Sequence, residues 1–211
     1  MQKIDTLQRL LKSTVMAIVR VETIERAQQI VDGCLAGQID CLEISYTNAN
    51  ASDIISQLNT IYENKILVGA GTVLDSETAR LAILAGAKFI IAPNFNQDVA
   101  RLCNRYQIPY MPGCTTYTEA VVALEHGASM IKAFPISNFY GYQLGSIFKT
   151  PLPYLPLMSS GGVTIDNITN WLESGVEVLG VGSLLTKGTT EEIAFNAQLL
   201  RQAVEKFSDR K

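Results

Sequence analysis

Short apolar runs alternate with stretches of helical periodicity along almost the whole chain. Leu7, Leu10 and Leu11 recur at helical spacing within residues 4–13, which predicts an N-terminal helix. Residues 15–19 form an apolar run closed by Arg20, the first predicted strand. Thr23 is a candidate N-cap, with Arg26 standing where a capping box carries Glu. Ile24, Ala27, Ile30, Val31, Cys34 and Leu35 mark the buried face of the helix that follows. Further strands are predicted at 41–44, 66–70, 89–92 and 109–111; a sixth ends at Lys132, and the last two fall at 155–158 and 178–181. Between them lie a helix lined by Ile54, Ile55, Leu58 and Ile61 and others at about 76–84, 98–106, 118–125, 142–148, 167–172 and 191–207. Eight strands alternating with helices predict an α/β fold, a compact (β/α)8 TIM barrel preceded by one helix, with residues 1–211 as a single domain.

The helix-to-strand joints repeat. Gln38-Ile39-Asp40-Cys41-Leu42-Glu43, Gly86-Ala87-Lys88-Phe89-Ile90-Ile91, Gly127-Ala128-Ser129-Met130-Ile131-Lys132 and Gly175-Val176-Glu177-Val178-Leu179-Gly180 can be laid over one another. A glycine closes three of the four helices, where a left-handed C-cap is expected; in the first joint Gly37 sits one place earlier. Asp40, Lys88 and Glu177 start their strands, at the solvated bottom rim. These joints lead into strands two, four, six and eight, and alternate strands of such a barrel feed the same interior layer. Glu43 and Lys132 therefore occupy equivalent positions, on strands that face each other across a ring of eight. Alternation within the sixth strand puts Met130 and Lys132 on one face and Ile131 and Ala133 on the other. A carboxylate and an amine are thus expected to point at one another near the top of an apolar interior. One reading is an internal ion pair that only holds the barrel together, although desolvation offsets much of such a pair's attraction. The other is a catalytic pair, since barrels of this class do their chemistry at the C-terminal ends of the strands.

Composition narrows the possibilities. With 211 residues, 47% of them hydrophobic, the chain can fill one sizeable core. It carries 17 basic and 20 acidic residues, a net charge of -3, with no basic block, which argues against nucleic acid or an anionic membrane as a partner. Residues 1–12 are charged throughout and lack the apolar core of a signal peptide, and no apolar run approaches transmembrane length. A soluble, cytoplasmic protein is expected. The cysteines, Cys34, Cys41, Cys103 and Cys114, are scattered, and His126 is the single histidine, so neither a zinc cluster nor a disulfide framework is expected. No metal and no other cofactor is called for.

A lysine among Met130, Phe89 and Val178 is poorly solvated, and burial penalises an ammonium more than the nucleophilic amine. Such an amine can attack a ketone and form a Schiff base. The iminium draws electrons from the neighbouring carbon, so a carbon–carbon bond to that carbon can break. Glu43 is the right kind of group to take the proton of the departing hydroxyl. Arg20, at the end of strand one, can clamp a carboxylate through two donors, or be no more than an exposed arginine. Thr72 follows Val68-Gly69-Ala70-Gly71, where small residues permit close approach, and its hydroxyl can donate to a carboxylate. Ser160-Gly161-Gly162-Val163 and Gly182-Ser183 follow strands seven and eight, the usual phosphate position of these barrels. Cys114 is a second candidate nucleophile, but His126 at the bottom of its helix cannot serve it as a base. Asp75 reads as an N-cap or loop acid, Tyr140 and Tyr142 as residues of the mouth, and Trp171 as core or an interface anchor.

These motifs resemble those of the 2-keto-3-deoxy-6-phosphogluconate (KDPG) aldolase family, which includes 4-hydroxy-2-oxoglutarate (KHG) aldolases. The resemblance covers nearly the whole chain. It rests on Ala17-Ile18-Val19-Arg20, Leu42-Glu43-Ile44, Val68-Gly69-Ala70-Gly71-Thr72-Val73, Pro112-Gly113, Lys132-Ala133-Phe134-Pro135, Ser160-Gly161-Gly162-Val163 and Val181-Gly182-Ser183. It implies a class I aldolase in which Lys132 forms the Schiff base with pyruvate, Glu43 is the acid/base, Thr72 helps hold the pyruvate carboxylate, and Gly161, Gly162, Gly182 and Ser183 hold the phosphate. It also implies a homotrimer. Two positions depart from the family pattern. Thr47 stands where many members carry an arginine for the substrate carboxylate, a role that passes to Arg20, and Ser159-Ser160 replaces the commoner Pro-Thr. The favoured reaction is cleavage of 2-keto-3-deoxy-6-phosphogluconate to pyruvate and glyceraldehyde 3-phosphate. The runner-up is cleavage of 4-hydroxy-2-oxoglutarate or of the galactonate isomer. A phosphosugar epimerase or isomerase using Glu43 alone, or a non-catalytic phosphometabolite-binding protein, needs no buried amine.

Overall fold

The computed structural model describes residues 2–209; Met1, Arg210 and Lys211, part of the expected domain, lie outside the described residues. Helix α1 (Gln2–Ser13) precedes β1 (Val15–Val19), and helices then alternate with strands: α2 (Ile24–Ala36), β2 (Cys41–Ser45), α3 (Ala51–Tyr62), β3 (Leu67–Gly71), α4 (Ser76–Leu84), β4 (Ile90–Ile91) and α5 (Gln97–Arg105). Next come β5 (Tyr110–Met111), β6 (Gly113–Cys114), α6 (Tyr117–Glu125), β7 (Ile131–Ala133), α7 (Ser137–Tyr140), α8 (Leu144–Lys149), β8 (Leu157–Ser160), α9 (Ile168–Glu173), β9 (Val178–Val181), α10 (Ser183–Thr186) and α11 (Thr190–Ser208). The predicted caps form. Thr23 accepts the Arg26 N–H, and Asp75 accepts the Thr78 N–H, a bond that holds the Asp75 carboxyl below the ordinary aspartate range.

All strand segments pair in parallel, in the order β5-β4-β3-β2-β1-β9-β8-β7-β6. The two end segments are halves of one strand broken at Pro112, which has no N–H to give to a ladder. Its carbonyl still accepts the Lys132 N–H at 2.9 Å, and Tyr110 O accepts the Ser129 N–H at 2.8 Å. The sheet ends therefore meet, and the predicted eight-stranded barrel closes.

Alternation sorts the apolar residues into two layers. Met16, Cys41, Leu67, Phe89, Ile91, Met111, Met130, Met158 and Val178 fill the barrel, with Leu10 of α1 packed into the same cluster. Ile131, Ala133 and the other outward-facing strand residues join the helices in a larger outer layer, which also takes in Trp171. Met130 and Ile131 thus lie on opposite sides of the sheet, as the sequence predicts. The repeated joints also hold: Gly86, Gly127 and Gly175 take φ of 99°, 82° and 95°, and Gln38, the residue aligned with them, takes 61°.

Several expectations are corrected. The single helix expected at 142–148 is α7, a 3-10 turn at Gly141–Gln143, and α8. The seventh predicted strand is displaced from 155–158 to Leu157–Ser160, because its pairing with β7 begins at Ile131↔Leu157. Ile61 does not line the buried face of α3; it is exposed, since Ile54, Ile55 and Leu58 already fill the contact. No helix among the described residues is long and apolar enough to cross a membrane.

Candidate active site

Glu43 and Lys132 both reach the barrel interior above the methionine-rich cluster. Glu43 is 1% exposed and Lys132 6%. Glu43 pairs in register with Ile18 and Gly69, and Lys132 with Gly113 and Met158. The carboxylate leans over Gly71, where a Cβ would stand 1.7 Å from Oε1. Gly69 makes room for the Phe89 ring, which a Cβ would meet at 2.2 Å. The close approach that the small residues of Val68-Gly69-Ala70-Gly71 permit is that of the protein's own side chains.

Among the described residues Glu43 and Lys132 form no ion pair, and Glu43 Oε2 is buried without a hydrogen-bond partner. Lys132 Nζ instead sits 4.7 Å from the centroid of the Phe134 ring. The purely structural ion pair is thereby removed as a reading. A buried polar atom left without a hydrogen-bond partner costs stability, so Glu43 works against the fold. The strand register fixes the shared interior face of Glu43 and Lys132, without closing an ion pair between them.

Arg20 follows β1 two residues beyond Ile18, whose Cδ1 would stand 2.8 Å from a Cβ on Gly180. It is exposed and, among the described residues, has no hydrogen-bond or ion-pair partner. Thr72, just beyond β3, is held at φ 60°, a left-handed conformation that is costly for a β-branched residue. Its Oγ1 lies 3.0 Å from Ser45 Oγ. Ser45 was not among the expected site residues, although it stands two positions beyond Glu43 on one face of a strand. Phe134 bears the same relation to Lys132.

The two glycine loops come together because Ser160 pairs with Gly180. Gly161 and Gly162 take φ of 91° and 76° in succession, and a Cβ on Gly161 would meet nothing closer than 3.7 Å, so backbone conformation, not crowding, demands glycine there. Ser137 Oγ donates to Ser160 O at 2.9 Å, Asn167 Nδ2 donates to Gly162 O at 2.8 Å, and Trp171 lies beneath the turn. Ser160 is buried; Gly161, Gly162 and Ser183 are exposed. A Cβ on Gly182 would meet nothing within 4 Å, and Ser183 opens α10. A family model described as KDPG and KHG aldolase matches residues 6–197. The chain belongs to that family. It is an aldolase, a carbon–carbon lyase.

A 2-dehydro-3-deoxy-6-phosphogalactonate aldolase of Escherichia coli is 33% identical over 92% of this chain and 98% of its own length. A 2-dehydro-3-deoxy-phosphogluconate aldolase of Treponema pallidum is 31% identical over 75% of each chain. A solved structure described as native KDPGal superposes with a TM-score of 0.85 at 32% identity, over 92% of this chain and 96% of the other.

The remaining candidates separate cleanly. Cys114 is buried and its thiol is pushed up to about 12, first by burial and then by the Glu119 charge, so it is no nucleophile near neutral pH. His126 caps the bottom of α6 with Nδ1 2.8 Å from Val122 O, as expected. Trp171 is core. Among the described residues no group of three or more His, Cys, Asp or Glu is placed to hold a metal.

Proposed function

We propose that this aldolase cleaves 2-keto-3-deoxy-6-phosphogalactonate to pyruvate and glyceraldehyde 3-phosphate through a Schiff base on Lys132. The observation that carries the reading is a buried amine and a buried carboxylate in one barrel interior, neither neutralised by the other. The Lys132 amine adds to the C2 ketone, and loss of water from the carbinolamine leaves an iminium. Glu43 takes the C4 hydroxyl proton, the C3–C4 bond breaks, and its electrons move into the iminium to give an enamine and the aldehyde. Protonation at C3 and hydrolysis release pyruvate and free the lysine.

Arg20 and Thr72 hold the carboxylate end. Ser160, Gly161, Gly162, Gly182 and Ser183 surround the distal phosphate, whose binding energy is remote from the reacting bond. A five-carbon dicarboxylate such as 4-hydroxy-2-oxoglutarate leaves those loops unused. The galactonate epimer replaces the gluconate one as the first choice because the 33% identical relative acts on it. The gluconate epimer is the second reading, supported by the Treponema relative. Exposed Phe139, Tyr140, Tyr142 and Tyr154 offer aromatic surface to further copies, in keeping with a homotrimer. Light scattering in solution reads that assembly directly.

Parallel steady-state assays coupled to pyruvate detection test the substrate. The reading expects kcat/KM for the 6-phosphogalactonate substrate to exceed that for 4-hydroxy-2-oxoglutarate by at least about tenfold, or about 1.4 kcal/mol of transition-state binding. A higher value for the gluconate epimer promotes the second reading; equal efficiency on the dicarboxylate removes the phosphate assignment. Ser183→Glu is expected to erase most of the preference for phosphorylated substrates.

A further inference from the structure

A chain of hydroxyls runs from the carboxylate end of the site to the surface. Ser45, 1% exposed, has its Oγ 3.0 Å from Thr72 Oγ1 and 3.1 Å from Thr47 Oγ1, and accepts the Thr47 N–H at 3.4 Å. Thr47 Oγ1 lies 3.2 Å from Asn48 Oδ1, and the Asn48 amide is oriented by donation of its NH2 group to Val21 O. The proton directions follow. An amide oxygen only accepts, so Thr47 donates to Asn48. A hydroxyl has a single proton, so the Ser45–Thr47 bond is donated by Ser45. That commits the Ser45 proton, and the Ser45–Thr72 bond must be donated by Thr72. The Thr72 proton then points at Ser45, and its oxygen meets a ligand as an acceptor only. A carboxylate, itself an acceptor, cannot bond to the Thr72 hydroxyl in that state.

We infer that Ser45, Thr47 and Asn48 are positioning residues that set the donor state of Thr72, and that a bound carboxylate reverses the chain. The inference rests on the reading of Thr72 as a holder of the substrate carboxylate. On reversal Thr72 donates to the carboxylate, Ser45 to Thr72 and Thr47 to Ser45; each hydroxyl rotates and no proton changes oxygen. The bond given up is Thr47–Asn48, at the exposed end, where water replaces it. The bond gained is to a charged acceptor, a stronger one.

Pyruvate concentration dependence of borohydride inactivation tests this, with the thermal midpoint of each variant recorded. Thr47→Val removes the group that fixes the Ser45 proton, so the half-saturating pyruvate concentration should fall about threefold or more. Thr47→Ser retains the hydroxyl and should match the native protein, whereas Thr72→Val should raise the value. A loss of packing alone does not tighten binding. A Thr47→Val value equal to or above the native one overturns the chain while leaving the carboxylate role of Thr72 standing. An unchanged value in Thr72→Val overturns that role and the chain with it.

Discussion

The two ends of the barrel treat charge in opposite ways. At the bottom, Arg9 Nε meets Asp40 at 2.7 Å and donates through a second nitrogen to Lys65 O at 2.8 Å, while Lys149 pairs with Glu177, whose other oxygen accepts the Leu157 N–H at 2.8 Å. At the top, Arg20, Glu43 and Lys132 have no ionic partner among the described residues. Asp40 and Glu177 at the bottom are satisfied by the protein and serve the fold. Glu43 and Lys132 are left without an ionic partner inside a low-polarity interior, where such groups cost stability, and Arg20 stands open and exposed.

Substitutions at the two ends should therefore move stability and activity in opposite directions. Lys132→Met has the largest effect: turnover falls to background, since no other group in the interior can form the imine. The same variant should melt higher than the native protein, by about 2–4 °C for each kcal/mol recovered, measured by calorimetry. A lower melting point would mean that Lys132 helps hold the fold. Glu43→Gln comes next, with turnover down by roughly 10²–10⁴-fold and trapping by pyruvate partly retained. Turnover within about threefold of native would hand the proton transfer to another group. Smaller again is Asp40→Asn at the bottom rim, expected to cost at most about 1 kcal/mol in denaturant unfolding with kcat/KM unmoved. The smallest effect is expected from thiol chemistry. Burial pushes Cys34, Cys103 and Cys114 up to about 12. The reactive thiolate is scarce until the pH approaches that value, so iodoacetamide at pH 8 should leave the folded enzyme active. Rapid inactivation with a label on Cys114 would contradict its placement.

What the sequence made legible follows from periodicity. Strand alternation separates Met130 and Lys132 from Ile131 and Ala133 because the side-chain period is fixed at two. The repeated joints carry that register from strand to strand, and Gln38 keeps it even without a glycine, by taking φ 61° itself. Periodicity does not report rotamers, so it could place Glu43 and Lys132 on one interior face but not reveal that they form no ion pair. It also passes over small polar residues: Ser45 interrupts no apolar pattern, and its bond to Thr72 depends on the β2–β3 register, Ser45↔Gly71. The stretch from Ser137 to Lys149 departs from its local pattern because tertiary contacts, including the bond from Ser137 to Ser160 O, set its shape.

The central claim is that the open charges at the top of the barrel perform imine chemistry. Borohydride reduction in the presence of pyruvate, followed by mass spectrometry of the peptides, tests it most directly. The account predicts inactivation with a single pyruvate-derived adduct on Lys132, absent when pyruvate is omitted. An adduct on Lys149 or Lys88 instead, or no adduct with activity intact, would contradict it.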